Sequence, residues 1–444
     1  MAHKLHLQTT IPAQPTTIRG NTCQLTASPC GTKLLYPSGN NLVIRDIENP
    51  SKARIFAEHG KRVTIGRFSP NGQWIASADE TGKIKIWSEY QEEENEFAMK
   101  VKYDYHMLGG EIKDLAWDGE SKRIVCAGDG RGQLAKAFIF DTGSNVGEFA
   151  GISKRLNTCD IRSCRPYRAV VGSDDFSTAF YAGPPFKFQK SNSDHSQLVT
   201  CTRFSPDGAY FAVSSTDGKI VIYEGKEGEK LFELGSHKGG CYAVSWDAAS
   251  KMLVSASADK TVKIWNIESQ KEVSSIKIGE NIGDQQLGVV WTSKGQIISV
   301  SLDGTLNYID PSSGSVSMRV FGHQKAIGCA ESFDGKSSFM TASSFDGSVR
   351  KWGVSDLYAQ PVDGTGHKGN VLGLHESESG GFLSVGQDGD VKSGNGTSYS
   401  NRMQKVDYSL IFSKFYNFFA FSFIPTILYR STMSRNALLT TTVF

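Results

Sequence analysis

Along most of the chain, apolar and polar positions alternate in short runs broken by polar turns. This is the period-two pattern of half-buried β-strands, not a helical stripe. The segments "SADETGKIKIWS" (77–88), "SSTDGKIVIYEG" (214–225), "SASADKTVKIWN" (255–266), "SVSLDGTLNYID" (299–310) and "SSFDGSVRKWGV" (343–354) repeat one design. Each is a strand of small and apolar residues, a polar turn, and a second strand closing on a large residue. Those closing residues are Trp87, Tyr223, Trp265, Ile309 and Trp352, with weaker copies at Arg45, Phe140 and Tyr181. They recur about every 42 residues, apart from an insertion before Phe140.

A second signal precedes each pair of strands. His59, His195, His237, His323 and His367 stand about 28 residues before the closing residue, and "RFSPNG" (67–72), "RFSPDG" (203–208) and "SWDAAS" (245–250) supply a strand and a bend in between. Four short strands per 40 to 45 residues is the signature of a WD-type propeller blade. In the sixth copy, His237, a serine (Ser255 or Ser257, of which Ser257 is taken here), Asp259 and Trp265 are expected to form a hydrogen-bonded chain that ties the strands together, since buried polar groups must find partners. His, Ser and Asp also make hydrolase triads, but recurrence at blade spacing makes the set structural. The sequence has no G-x-S-x-G, P-loop or H-E-x-x-H motif, so no catalytic, cofactor or metal site is expected.

Seven copies end by residue 309, and seven is a common propeller number. Edge strands need partners, and "KLHLQTTI" (4–11) alternates like a strand. The expected organisation is a seven-bladed propeller over 1–313, closed by strand 4–11, then two blades of a second, incomplete propeller over 314–392. The fold class is all-β. A divergent, disordered tail is expected over 393–444: from Tyr408 to Phe444 there is no Asp, Glu or Gly, while Phe and Tyr are dense. That stretch has the length of a membrane span, but Lys414, Asn417 and Pro425 interrupt it.

Composition adds little to this picture. The net charge is +2 over 444 residues, so nothing points to nucleic acid or a membrane surface. The eight cysteines have no zinc-ligand spacing, and the N-terminus lacks the apolar core of a signal peptide. Free thiols without a secretion signal indicate the cytosol.

Propeller function resides in departures from the repeat. The second turn of blade three, inside "AGDGRGQLAKAFIFDTG" (127–143), is long and carries Asp129, Arg131 and Gly132. Blade four carries Asp174 and Asp175 where other copies have one Asp, so one is expected to hold the turn and the other to be free; Arg165 and Arg168 are expected nearby. Its outer strand begins in "GPPFKFQK" (183–190), an edge where proline is tolerated. There Phe186 and Phe188 lie two apart and are expected to share one face. The acidic run "QEEENE" (91–96) reads as a solvated loop between blades two and three.

The strings "DLAWDGESKRIVCAGDGRG", "SCRPYRAVVGSDD", "GPPFKF", "RFSPDG", "SASADKTVKIWN" and "DQQLGVVW" together resemble the actin-interacting protein 1 family over about residues 1 to 392. The "GSDD…GPPFKF" and "DQQLG" strings are not general WD features. The resemblance implies two seven-bladed propellers and a non-enzymatic, cytoplasmic protein of the actin cytoskeleton. Such a protein binds filaments decorated with ADF/cofilin and promotes their severing and disassembly. It places binding residues at Gly132, Asp174 and Phe188. Gly132 departs from the family, which has an acid there, although Asp129 lies three residues earlier; Leu198 stands where the family has an aromatic. The competing reading is a general WD scaffold or adaptor in a ubiquitin-ligase or signalling complex.

Overall fold

The computed structural model describes residues 10–93, 96–335, 337–343, 347–377 and 381–400. Nine antiparallel sheets follow one another along the chain, eight of four strands and one of three, with strands in sequence order inside each sheet. The inner strands of the first seven are Thr26–Ala27, Val63–Phe68, Ile112–Trp117, Leu156–Ile161, Val199–Phe204, Cys241–Trp246 and Gln286–Trp291. Ile327–Phe333 and Val371–Glu376 open the eighth and ninth. These are propeller blades, and each hydrophobic cluster fills the gap between neighbouring ones. Among the described residues, no helix is long and apolar enough to cross a membrane.

The first ring closes between blades seven and one. Leu34, Tyr36 and Val43 pack with Leu287, Val300 and Tyr308 in one buried cluster, and the Cys23 amide donates to the Leu287 carbonyl at 2.9 Å. The closing strand expected at 4–11 is not what completes blade seven. That sheet takes its outer strand from Ser315–Val320, just downstream, in register Leu306↔Val320. The boundary at 313/314 therefore moves past Val320: a short hairpin supplies the edge locally, as in the other blades. Residues 1–9 lie outside the described residues, and 10–11 form no strand. An extended clasp follows them. Gln14 donates its amide to His323 and Thr16 to Pro37, both at 3.0 Å, while Gln324 Nε2 donates to the Pro15 carbonyl at 2.8 Å.

Two further expectations change. The acidic run 91–96 is not a loop between blades: strands Lys83–Glu93 and Glu96–His106 pair as a long hairpin to Glu93↔Glu96, inside blade two. The tail does not diverge at 393. Strand Val391–Gly394 completes the ninth sheet, and Tyr399 turns back to pack on Phe382 and His367. Residues 401–444, with most of the expected tail, lie outside the described residues.

The polar chain inside the blades is built as expected, with one exchange of partner. In blade six, His237 Nε2 lies 2.8 Å from Ser255 Oγ, to which Trp265 Nε1 also donates at 2.8 Å, and His237 Nδ1 lies 3.0 Å from Asp259 Oδ2. The serine of the chain is thus Ser255. Ser257 belongs to the turn instead: it donates to the Gly239 carbonyl and accepts from the Asp259 amide. Alternation along the strand points residues 255 and 257 the same way; Trp265 pairs with Leu253, and its indole reaches the nearer of the two, Ser255. Blade two repeats the pattern with His59, Ser77, Asp79 and Trp87. Blade five breaks it. Val213 stands at the serine position, and His195 Nε2 is buried without a partner while its Nδ1 keeps Asp217 at 3.2 Å. Replacing Val213 with the nearly isosteric Thr should supply the missing hydroxyl and raise stability by about 0.5–1.5 kcal/mol; a lower melting temperature would refute this.

These chains also set a pH dependence. Burial pushes His59 and His195 below the ordinary histidine value of 6.5. The unfolded chain therefore takes up protons first as pH falls, and stability drops from about pH 6.5 downwards. Asp79, Asp217 and Asp259 are also shifted in the fold. Burial raises them, but hydrogen bonds from Thr81, the Ser196 amide and His237 prevail and hold them below 3.8. A second loss follows below that value. Urea midpoints should fall from pH 7.5 to 5.5 and again to 3.5; an unchanged midpoint over the first interval would contradict the histidine argument.

Candidate protein-binding face

Each blade turns twice at one end of the propeller, between its first and second and its third and fourth strands. Its remaining turn and the link to the next blade emerge at the other end, called here the upper face. Strand Arg168–Ser173 of blade four runs upward and delivers Asp174 to that face. There Arg155 Nη2 lies 2.9 Å from Asp174 Oδ2, and Asn157 Nδ2 donates to Oδ1 at 2.7 Å. Arg155 and Asn157 flank the start of blade four's inner strand. A local register shift between Leu156 and Thr158 accompanies the reach of Asn157 to both Asp174 and the Val199 carbonyl. Leu198, half-buried, shares this wall of the channel mouth, a cavity of about 80 Å³. That volume is well below the 300–1,000 Å³ or so of a small-molecule pocket, so the mouth works as a surface.

One aspartate holds the turn, but the other is not free, since Arg155 and Asn157 engage Asp174. Asp175 holds the turn, accepting from the Ser177 amide at 3.0 Å and from its hydroxyl at 2.5 Å. Asp174 is the one turned to the mouth. In blade three, Asp129, Arg131 and Gly132 are exposed on the same upper face. The Asp129 amide donates to the Glu111 carbonyl at 2.8 Å, which pins the long turn to the preceding link. Gly132 has φ +84 with open space around its α-carbon, so an acid there would meet no clash but would sit in a conformation that side chains disfavour. Arg165 and Arg168 do not join this group. They lie at the lower end, where Arg165 pairs with Glu120 at 2.7 Å and Arg168 donates to the Lys226 carbonyl.

Phe186 and Phe188 do not share a face. Phe186 is 1% exposed and belongs to the core between blades three and four, whereas Phe188 is 40% exposed. The alternation rule holds only inside a strand, and the outer strand begins at Lys187. Phe186 is still in the turn, with its amide donating to the Val146 carbonyl of blade three at 3.0 Å. Phe188 sits on the rim, edge-on to Tyr181 at 5.8 Å. Its ring fills the space that a side chain on Gly151 would need, 2.8 Å from that glycine's ideal Cβ. It pairs with Tyr181, three residues down the strand from Thr178 at the upper end. That is about 10 Å of strand away from the Asp174 level.

Sequence reasoning missed Arg155 and Asn157, which orient Asp174, and Phe176, an exposed aromatic in the same turn. The signal for Phe176 was present: the corresponding turn position is Gly in the copies ending at Trp87, Tyr223, Ile309 and Trp352.

Repeated four-stranded sheets, two of them tied by a His–Ser–Trp chain, define a WD-repeat β-propeller protein. The family described as WD domain, G-beta repeat matches residues 51–88, 186–224, 228–266 and 315–353. The chain is 42% identical over 384 residues to WD repeat-containing protein 1 of Xenopus tropicalis, covering 85% of this chain and 62% of that protein. The corresponding protein of Mus musculus is 46% identical over 319 residues, 71% and 52% of the two chains. Actin-interacting protein 1 of Drosophila melanogaster is 39% identical over 363 residues, 81% and 59% of the two chains. Over the region that aligns, the chain is similar to WD repeat-containing protein 1 and actin-interacting protein 1. It spans about three fifths of the length of these relatives.

Proposed function

We propose that this chain is a non-enzymatic, cytoplasmic actin-filament-binding protein that cooperates with ADF/cofilin to promote severing and disassembly. Its relatives include a protein named for its interaction with actin. The observation that carries the proposal is Phe188: a large aromatic held on the rim of blade four at 40% exposure while its neighbour Phe186 is buried. An exposed aromatic on a rigid sheet edge is the kind of anchor on which protein interfaces concentrate binding energy. Phe188 and Leu198 supply apolar area, and Asp174, Asp129 and Arg131 supply the polar contacts of the upper face. Binding a cofilin-twisted filament better than a bare one shifts the filament towards fragmentation, because a ligand acts only through its difference in affinity for two states.

Co-sedimentation with filaments, with and without cofilin, tests this. The chain should pellet, and more so with cofilin. Phe188→Ala should keep the melting temperature within a few degrees and weaken binding by about 1.5–3 kcal/mol, the worth of a fully buried aromatic. A chain that pellets with neither bare nor decorated filaments overturns the reading.

A further inference from the structure

The second turn of a blade needs one residue in the left-handed region. Blades two, five, seven, eight and nine meet this with Gly82, Gly218, Gly304, Gly347 and Gly389, all between φ +71 and +89. Blade six uses Lys260 at φ +69, and blade four uses Phe176 at φ +74. A bulky aromatic there is strained, where glycine is not. The strain brings no core packing in return, since the Phe176 ring is 41% exposed. The adjacent Asp175 differs from its counterparts as well. Asp217 and Asp259 give their second carboxylate oxygen to His195 and His237, each 22 residues earlier. At that distance before Asp175 stands Ser153. Oδ1 of Asp175 accepts from Ser177, and Oδ2 has no hydrogen bond among the described residues.

We infer that Phe176 and Asp175 form a cradle for a lysine or arginine side chain of a protein partner. The cation would pair with Asp175 Oδ2 while its aliphatic stem and charge lie over the exposed ring. Carboxylate and aromatic face are the two groups that attract such a side chain, and both are left open here on the face that carries Asp174 and Leu198. The inference rests on the filament reading, with the filament or its bound cofilin presenting the cation.

The test uses the full chain and cofilin-decorated actin filaments in co-sedimentation. Phe176→Gly should leave the melting temperature unchanged or raised, since it restores the residue the turn prefers, and weaken binding about tenfold or more. Asp175→Asn, which keeps an acceptor for Ser177, should also weaken binding and flatten its dependence on salt. If the unsubstituted chain fails to pellet, the filament reading falls and the cradle with it. If it pellets and both variants pellet as well as it does, the cradle alone is overturned. A lowered melting temperature for Phe176→Gly would show that the ring serves the fold and would equally overturn it.

Discussion

The first propeller is organised around one buried carboxylate. Asp114, on the inner strand of blade three, pairs with Arg67 of blade two at 3.1 Å and Arg203 of blade five at 2.8 Å. It also accepts from Thr158 Oγ1 and from the Cys159 amide of blade four. Gln24 Oε1, next to blade one, accepts from both arginines. Burial alone would push the Asp114 carboxyl up, yet the two guanidinium charges hold it below its ordinary value. Four consecutive blades are therefore tied across the channel by one carboxylate, and its two arginine partners extend the set to Gln24 beside blade one. Removing one member of such a buried set is worth roughly 3–5 kcal/mol, because the charges left behind have no water to turn to. The apolar packing joins each blade to the next, whereas this contact links blades that are not neighbours, two and three with five.

The same strand carries the channel network to the candidate site. Thr158 binds Asp114, and its neighbour Asn157 binds Asp174 on the upper face. Successive residues of a strand point to opposite sides, and the register shift at this place lets one serve the channel while the other serves the surface. Asp174 is thus a surface carboxylate with a rigid support, held by Arg155 and Asn157, not a mobile loop acid. Such preorganisation reduces the ordering that binding would otherwise require.

What the sequence made legible was whatever repeats. The histidine–tryptophan spacing announced the blades, because blades two and six satisfy their buried polar groups in the same way and the others vary the theme. The choice between Ser255 and Ser257 was not legible, since both lie on the same side of one strand and only the reach of the Trp265 indole decides. Local departures were harder. Period-two reasoning paired Phe186 with Phe188, but it assumes a strand already begun, and the Phe186 amide is engaged by the carbonyl of Val146 in the neighbouring blade. Closure of blade seven was misread for a related reason. A strand-like pattern at 4–11 looked sufficient, while the short hairpin to Ser315–Val320 offers the same hydrogen bonds with less loop to order.

The placement of the candidate residues bears on what they can touch. Asp174, Leu198, Asp175, Phe176 and the long turn of blade three share the upper face, whereas Phe188 lies on the rim towards the lower end of the outer strand. A flat epitope laid on the upper face reaches the first group and misses Phe188. Engaging both requires a surface that folds over the edge of blade four, or two bodies that meet there, one on the face and one on the rim. A single short peptide does not offer that geometry. The division of the candidate residues between face and rim follows from the same register that separated Phe188 from Phe186.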